Sequence, residues 1–182
     1  NPARREAALP RGVDTVTSAD EAAAGADVVL GSLPSAQALA VTAEAIVRAQ
    51  PRPGLIVAEL STLSLDDKAR ARARLAAAGV VLIDCPLSGT GAQAARRDLV
   101  VYASGDADDC ERCRPVFERF GRKSYFLGEF GNGTKAKFVA NLLVAIHNVA
   151  AAEAIVLGLR AGLDPATLCE VVGAGAGGSR ML

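Results

Sequence analysis

Short apolar runs alternate with amphipathic stretches through the first two thirds of the chain. Asp27-Val-Val-Leu-Gly31, Gly54-Leu-Ile-Val-Ala-Glu59, Gly79-Val-Val-Leu-Ile-Asp84, Leu99-Val-Val-Tyr-Ala103 and Lys123-Ser-Tyr-Phe-Leu127 read as five strands. Helical spacing between them predicts helices over residues 35–50, 64–78, 91–97 and 106–120. Strands apolar on both faces and alternating with helices imply a largely parallel sheet covered on both sides, with right-handed crossovers. The alternation stops near 128–133. Residues 134–161 then read as one long helix, ended by Gly162, and Asp164-Pro165 opens the next as N-cap and first helical residue. The expected architecture is an α/β, Rossmann-type domain over residues 1–130, followed by the start of an all-α domain over 131–182.

The most apolar stretch, 138–159, contains Asn141, His147, Asn148 and Glu153, so it reads as a buried helix and not a membrane span. With 20 basic and 20 acidic side chains the net charge is zero, and no basic run interleaves with aromatics, which argues against nucleic-acid binding. Cys110-Glu-Arg-Cys113 invites a metal or redox reading. It has no second ligand pair, and it falls in an amphipathic helix instead of just after a strand. Reduced structural cysteines, no metal and a cytoplasmic setting are expected.

Gly173-Ala-Gly175-Ala-Gly-Gly178 matches the GxGxxG dinucleotide pattern letter for letter. The pattern needs a strand before it and a helix after it to present a helix N-terminus to pyrophosphate. Here a helix precedes it, so an interhelical loop is expected.

The strand ends are more telling. In an open α/β sheet, ligands sit beyond the C-terminal ends of the strands. Ser32-Leu33-Pro34-Ser35 follows the first strand, Glu59-Leu-Ser61-Thr62 ends the second, and Asp84-Cys-Pro-Leu-Ser88-Gly89-Thr90-Gly91 ends the third. Ser88-Gly-Thr-Gly, between a strand and a helix, suits a carboxylate through its backbone N–H groups and hydroxyls. Taken singly, each of these is also an ordinary turn with a capping residue.

Gly131-Asn-Gly-Thr-Lys-Ala-Lys137-Phe-Val-Ala-Asn141 then opens the long helix. At about 100° per residue, Lys137 and Asn141 share one face. A lysine half-sunk beside apolar neighbours can lose its proton near neutral pH and act as a base. The plainer alternative is a solvated lysine and a polar asparagine at the start of a core helix.

In this order and spacing the motifs resemble the β-hydroxyacid dehydrogenase family, whose members include 3-hydroxyisobutyrate dehydrogenase and, more distantly, 6-phosphogluconate dehydrogenase. The resemblance runs from Ala26-Asp-Val-Val-Leu-Gly-Ser-Leu-Pro34 to the Gly162-Leu-Asp-Pro165 junction. It implies reversible hydride transfer between NAD or NADP and a small β-hydroxy acid. Lys137 would be the general acid/base, and Asn141 would hydrogen-bond the substrate. Ser88, Gly89 and Thr90 would hold the carboxylate, while Leu33, Pro34, Ser61 and Thr62 would line the nicotinamide and its ribose. Arg4 stands where a basic residue can meet a 2′-phosphate, which leans the choice slightly to NADP. Relatives that reduce imines commonly lack the lysine, so its presence weighs against that activity and against a catalytically silent binding module.

The resemblance also implies a first βαβ unit upstream of Asn1 and a parent chain of roughly 290 residues. The apolar faces of the long helix suggest a homodimer or homotetramer. Four departures from the family pattern stand out. Thr90 replaces a glycine, Ala140 replaces an asparagine, Arg97 stands where glycine is common, and Glu59 replaces an aspartate. His147 lies off the face of Lys137 and reads as a core or interface histidine; Asn148 extends that face more nearly.

Overall fold

Side-chain caps set most of the helix starts. In the computed structural model, which describes residues 2–179 (the side chains of Arg4 and Arg11 apart), Ser35 Oγ accepts the Ala38 N–H at 3.1 Å and opens α3 (Ala36–Arg48). Ser64 does the same for α4 (Leu65–Ala76), and Asp106 for α6 (Ala107–Phe117). Two short helices, α1 (Pro2–Ala8) and α2 (Ala19–Ala23), precede the first strand.

Strands β1 (Val28–Gly31), β2 (Ile56–Glu59) and β3 (Val81–Asp84) form a parallel sheet in the order β1-β2-β3. A second sheet holds β4 (Leu87–Ser88), β5 (Leu99–Ala103) and β6 (Gly121–Phe126). The β5–β6 pair is parallel, and the β4–β5 pair is antiparallel. The single, largely parallel sheet expected from the sequence is therefore divided. Two reciprocal backbone hydrogen bonds join the parts: Asp84 N–H to Ser104 O at 2.9 Å, and Ser104 N–H to Asp84 O at 2.8 Å. The short helix after β4 is α5 (Gly91–Ala95).

Successive strand residues face opposite ways, and each face has its own core. Leu55, Val57 and Leu82 pack with Leu39, Ile46 and Leu75 of α3 and α4. Ile56, Ala58, Ile83 and Val101 pack with Cys110, Cys113 and Phe117 of α6. The sheet is thus covered on both faces, as apolar parallel strands require.

By contacts the chain divides into residues 1–137 and 138–182. The boundary expected near 128–133 lies slightly earlier, because the first turn of α7 (Asn132–Arg160) is bound into the first unit.

In the second unit, Leu168 of α8 (Pro165–Ala174) lies against Gly158, where any Cβ would meet its Cδ2. The rest of α7 is open among the described residues, with Val139 and Leu142 each 61% and Leu157 71% exposed. The burial expected for this helix, and for His147 on it, is therefore not met within the described residues, where few side chains pack against it. By length and composition α7 is apolar enough to cross a membrane.

Candidate active site

Gly31, Glu59 and Asp84 stand side by side in register across β1, β2 and β3, so three of the motifs leave the sheet along one edge. The first two are tied together. Leu33 N–H donates to Ser61 Oγ at 2.6 Å, and Ser61 N–H donates to Glu59 Oε1 at 2.8 Å. Pro34 and Thr62 are exposed beside this link. Burial pushes the Glu59 carboxyl above the ordinary carboxylate range, and its Oε2 has no hydrogen-bond partner among the described residues.

The third motif follows β3 through Pro86. Ser88 is half-buried, and among the described residues its hydroxyl carries no hydrogen bond. Gly89 has φ +137°, and a Cβ there would lie 2.6 Å from Leu99 Cδ2, so glycine is required. Thr90 is otherwise occupied. It N-caps α5 in a capping box, its Oγ1 accepting the Gln93 N–H at 3.4 Å and its own N–H donating to Gln93 Oε1 at 3.0 Å. The expectation that Thr90 offers its hydroxyl and amide to a carboxylate meets a residue whose polar groups are spent on its own helix.

The fourth motif is pressed against the third. A Cβ on Gly133 would sit 2.2 Å from Tyr102 O and 2.9 Å from Asp84 O, so only glycine lets α7 approach the ends of β3 and β5. Lys137, one turn further on, is half-buried, and no carboxylate of the described residues lies within 4.0 Å of its Nζ. Burial alone holds its ammonium below the ordinary lysine range. Asn141 lies on the same helix four positions later, in the second unit, and is exposed.

The turns after β1 and β2 form a tied pair, with exposed Pro34 and Thr62 beside them, at the C-terminal edge of a parallel sheet, the edge at which such sheets take a dinucleotide. Arg4 sits in α1, but its side chain lies outside the described residues. The GxGxxG match belongs to the end of α8, where Gly173 is helical and Gly175 caps; no strand precedes it. Cys110 and Cys113 are buried in α6 and unreactive, with burial as the main cause pushing their thiols up to about 12 and about 11. A groove of about 490 Å³ runs between α3 and α4, and none of the candidate residues lines it.

A polar cluster beneath the site escapes sequence reading. Lys68, Asp84, Ser104 and Thr134 are all fully buried, and Lys68 Nζ donates to Asp84 Oδ1 at 2.7 Å. A signal was available: Lys68 falls on the apolar stripe of α4, in step with Leu65, Ala71 and Leu75.

The NAD binding domain of 6-phosphogluconate dehydrogenase matches residues 1–128 as a family model, and the NAD-binding region of NADP-dependent 3-hydroxyisobutyrate dehydrogenase matches residues 131–182. An NAD-dependent L-serine dehydrogenase of Pseudomonas aeruginosa is 34% identical over 171 residues, covering 92% of this chain and 57% of its own. A 3-hydroxyisobutyrate dehydrogenase of the same organism is 34% identical over 175 residues, covering 94% and 58%. The solved structure of Mycobacterium tuberculosis 3-hydroxyisobutyrate dehydrogenase with L-serine superposes with a TM-score of 0.90 at 31% identity, covering all of this chain and 62% of that one. The chain thus spans a little under three fifths of the length of the curated relatives it matches. With its Rossmann-type sheet, its long helix and these matches over nearly every residue, the chain belongs to the β-hydroxyacid dehydrogenase family.

Proposed function

We propose that the full-length protein oxidises a small β-hydroxy acid reversibly, with Lys137 as general acid/base. The observation that carries this reading is Lys137 itself. It is a half-buried lysine without a counter-ion among the described residues, held below its ordinary range in the first turns of α7. Loss of hydride from a carbinol requires a base on the hydroxyl, and an amine whose proton is loosened by burial suits that task. Bound NAD or NADP supplies the hydride acceptor. Leu33, Pro34, Ser61 and Thr62 hold its nicotinamide end. Neutral Lys137 takes the hydroxyl proton as the carbonyl forms, and its ammonium returns that proton in the reverse direction. Ser88 and the Gly89 backbone hold the substrate carboxylate, Thr90 shapes that loop through its capping box, and Asn141 hydrogen-bonds the substrate.

The domain assignment follows the same reading: residues 1–130 bind the dinucleotide and 131–182 open the second domain. We read α7 as a helix of that domain, as the family match over 131–182 supports, and its open apolar faces favour a homodimer or homotetramer. Four free cysteines suit a reducing, cytoplasmic compartment.

The test follows reduced-nicotinamide absorbance in the full-length chain, wild type and Lys137→Ala, with 3-hydroxyisobutyrate, L-serine and larger hydroxy acids and each cofactor in turn. Collapse of turnover by orders of magnitude with cofactor binding intact supports the reading. Turnover indifferent to Lys137 overturns it.

A further inference from the structure

The four N–H groups at the start of an α-helix have no partner within the helix. In α7 the residue before the helix is Gly131, which has no side chain to cap with. The first three N–H groups of the helix itself are nevertheless satisfied. Asn132 N–H donates to Glu129 O at 3.1 Å, and the regular helical ladder starts with Lys135 N–H to Gly131 O at 3.0 Å. The two between them reach across the fold: Gly133 N–H donates to Ser104 Oγ at 2.9 Å, and Thr134 N–H to Asp84 Oδ2 at 2.7 Å. Thr134 Oγ1 adds a bond to Asp84 Oδ1 at 2.7 Å, where Lys68 Nζ also donates, and Ser104 Oγ lies 3.2 Å from Oδ2. Asp84 is therefore the N-cap of a helix that begins 48 residues after it (132 − 84).

We propose that this buried cap positions Lys137 for catalysis, with Asp84, Thr134, Ser104 and Lys68 as positioning residues. The inference rests on the reading of Lys137 as the base. Lys137 follows Thr134 by three residues on the same rigid helix. Ser88 follows Asp84 by four residues, through Pro86, which itself abuts Gly133. Base and carboxylate cradle thus both hang from one aspartate. A shift of the first turn of α7 moves the amine relative to the cradle without removing either group, and misplacement by about 1 Å costs about a hundredfold in rate. The carboxylate is suited to this task because it accepts from four donors on three separate parts of the chain, which fixes the helix both along its axis and in rotation.

The experiment uses the full-length chain with its cofactor and the best substrate of the panel above. It compares Thr134→Val, Thr134→Ser, Ser104→Ala and Lys68→Met in the wild-type and Lys137→Ala backgrounds. Assays run well below each melting temperature, with cofactor affinity measured separately. Thr134→Val and Ser104→Ala each lower kcat about tenfold while cofactor affinity holds, and Thr134→Ser stays within about twofold of wild type. In the Lys137→Ala background the same substitutions leave the residual rate within about twofold, because there is no amine left to misplace. Folded Thr134→Val and Ser104→Ala with wild-type kcat overturn the inference, and so does an equal loss in both backgrounds, which is the signature of a merely structural role. Either result, with Lys137→Ala still inactive, leaves the assignment of the base intact. If Lys137→Ala keeps its turnover, the base assignment falls and the positioning role with it.

Discussion

Oε2 of Glu59, unpaired among the described residues, stands 2.7 Å from the place a Cβ on Gly31 would occupy. The strand end of β1 makes room for a carboxyl that burial holds above its ordinary range. The folded state therefore binds the proton more tightly than the unfolded chain. Stability falls as pH rises from the ordinary carboxylate range through the raised value, and the penalty is complete above it. Glu59→Gln, which mimics the protonated form, is expected to stabilise the protein at neutral pH by about 1 kcal/mol. The gain should vanish below about pH 4. Chemical denaturation of both forms across that range checks it; an advantage that does not change with pH would contradict the assignment.

The rate of hydroxy-acid oxidation should rise with pH along a limb belonging to Lys137. Because burial lowers this group, the limb lies below the ordinary lysine value of about 10.4. Lys137→Arg, which cannot deprotonate, should lose that limb and nearly all turnover. A kcat/KM profile against pH for both forms decides it.

Gly133→Ala should be among the most damaging single changes in the chain. The new methyl meets two backbone carbonyls, Tyr102 O and Asp84 O, neither of which can rotate away. A loss of about 3 kcal/mol is expected, at the upper end of overpacking costs. Gly12→Ala, with open space around it but φ +71°, should cost about 1 kcal/mol. Thermal melts of the two variants should rank them in that order.

How much of this was legible beforehand depended on whether the signal was local. Strands β2, β3 and β5 were visible because both of their faces are apolar, and the helix starts at Ser35, Ser64, Asp106 and Asp164 because a capping oxygen is a one-residue signal. Strand β4 was not, being two residues between a proline and a glycine whose pairing partner is set by the chain beyond. The motif order disclosed the family and singled out Lys137 as the candidate base. It could not disclose that Thr90 spends its hydroxyl on Gln93, since a free hydroxyl satisfies the same letters, whereas the inward turn of Lys68 was legible only in its place on the apolar stripe of α4. The exposure of His147 depends on what surrounds α7, which no residue of the helix encodes.

Arg97 offers a gain. It holds φ +58° at an exposed position after α5, a left-handed conformation that costs a side-chain-bearing residue about 1–2 kcal/mol. Arg97→Gly should relieve that strain against the larger entropy of an unfolded glycine, for a net gain of about 0.5 kcal/mol. A small rise in the denaturation midpoint with an unchanged slope is the expected reading; a fall would mean the arginine side chain contributes contacts that outweigh the strain.

Amide protons in the first turn of a helix are ordinarily the first to exchange with solvent, because fraying frees them. Those of Gly133 and Thr134 are held by side chains from the end of β3 and the turn after β5, so helix fraying alone cannot release them. Their exchange must wait until that turn as a whole leaves the buried side chains of Asp84 and Ser104. The same dependence orders assembly. The lysine-bearing turn can lock only after the ends of β3 and β5, far apart in sequence, have met, so the turn that carries the proposed base is among the last to form.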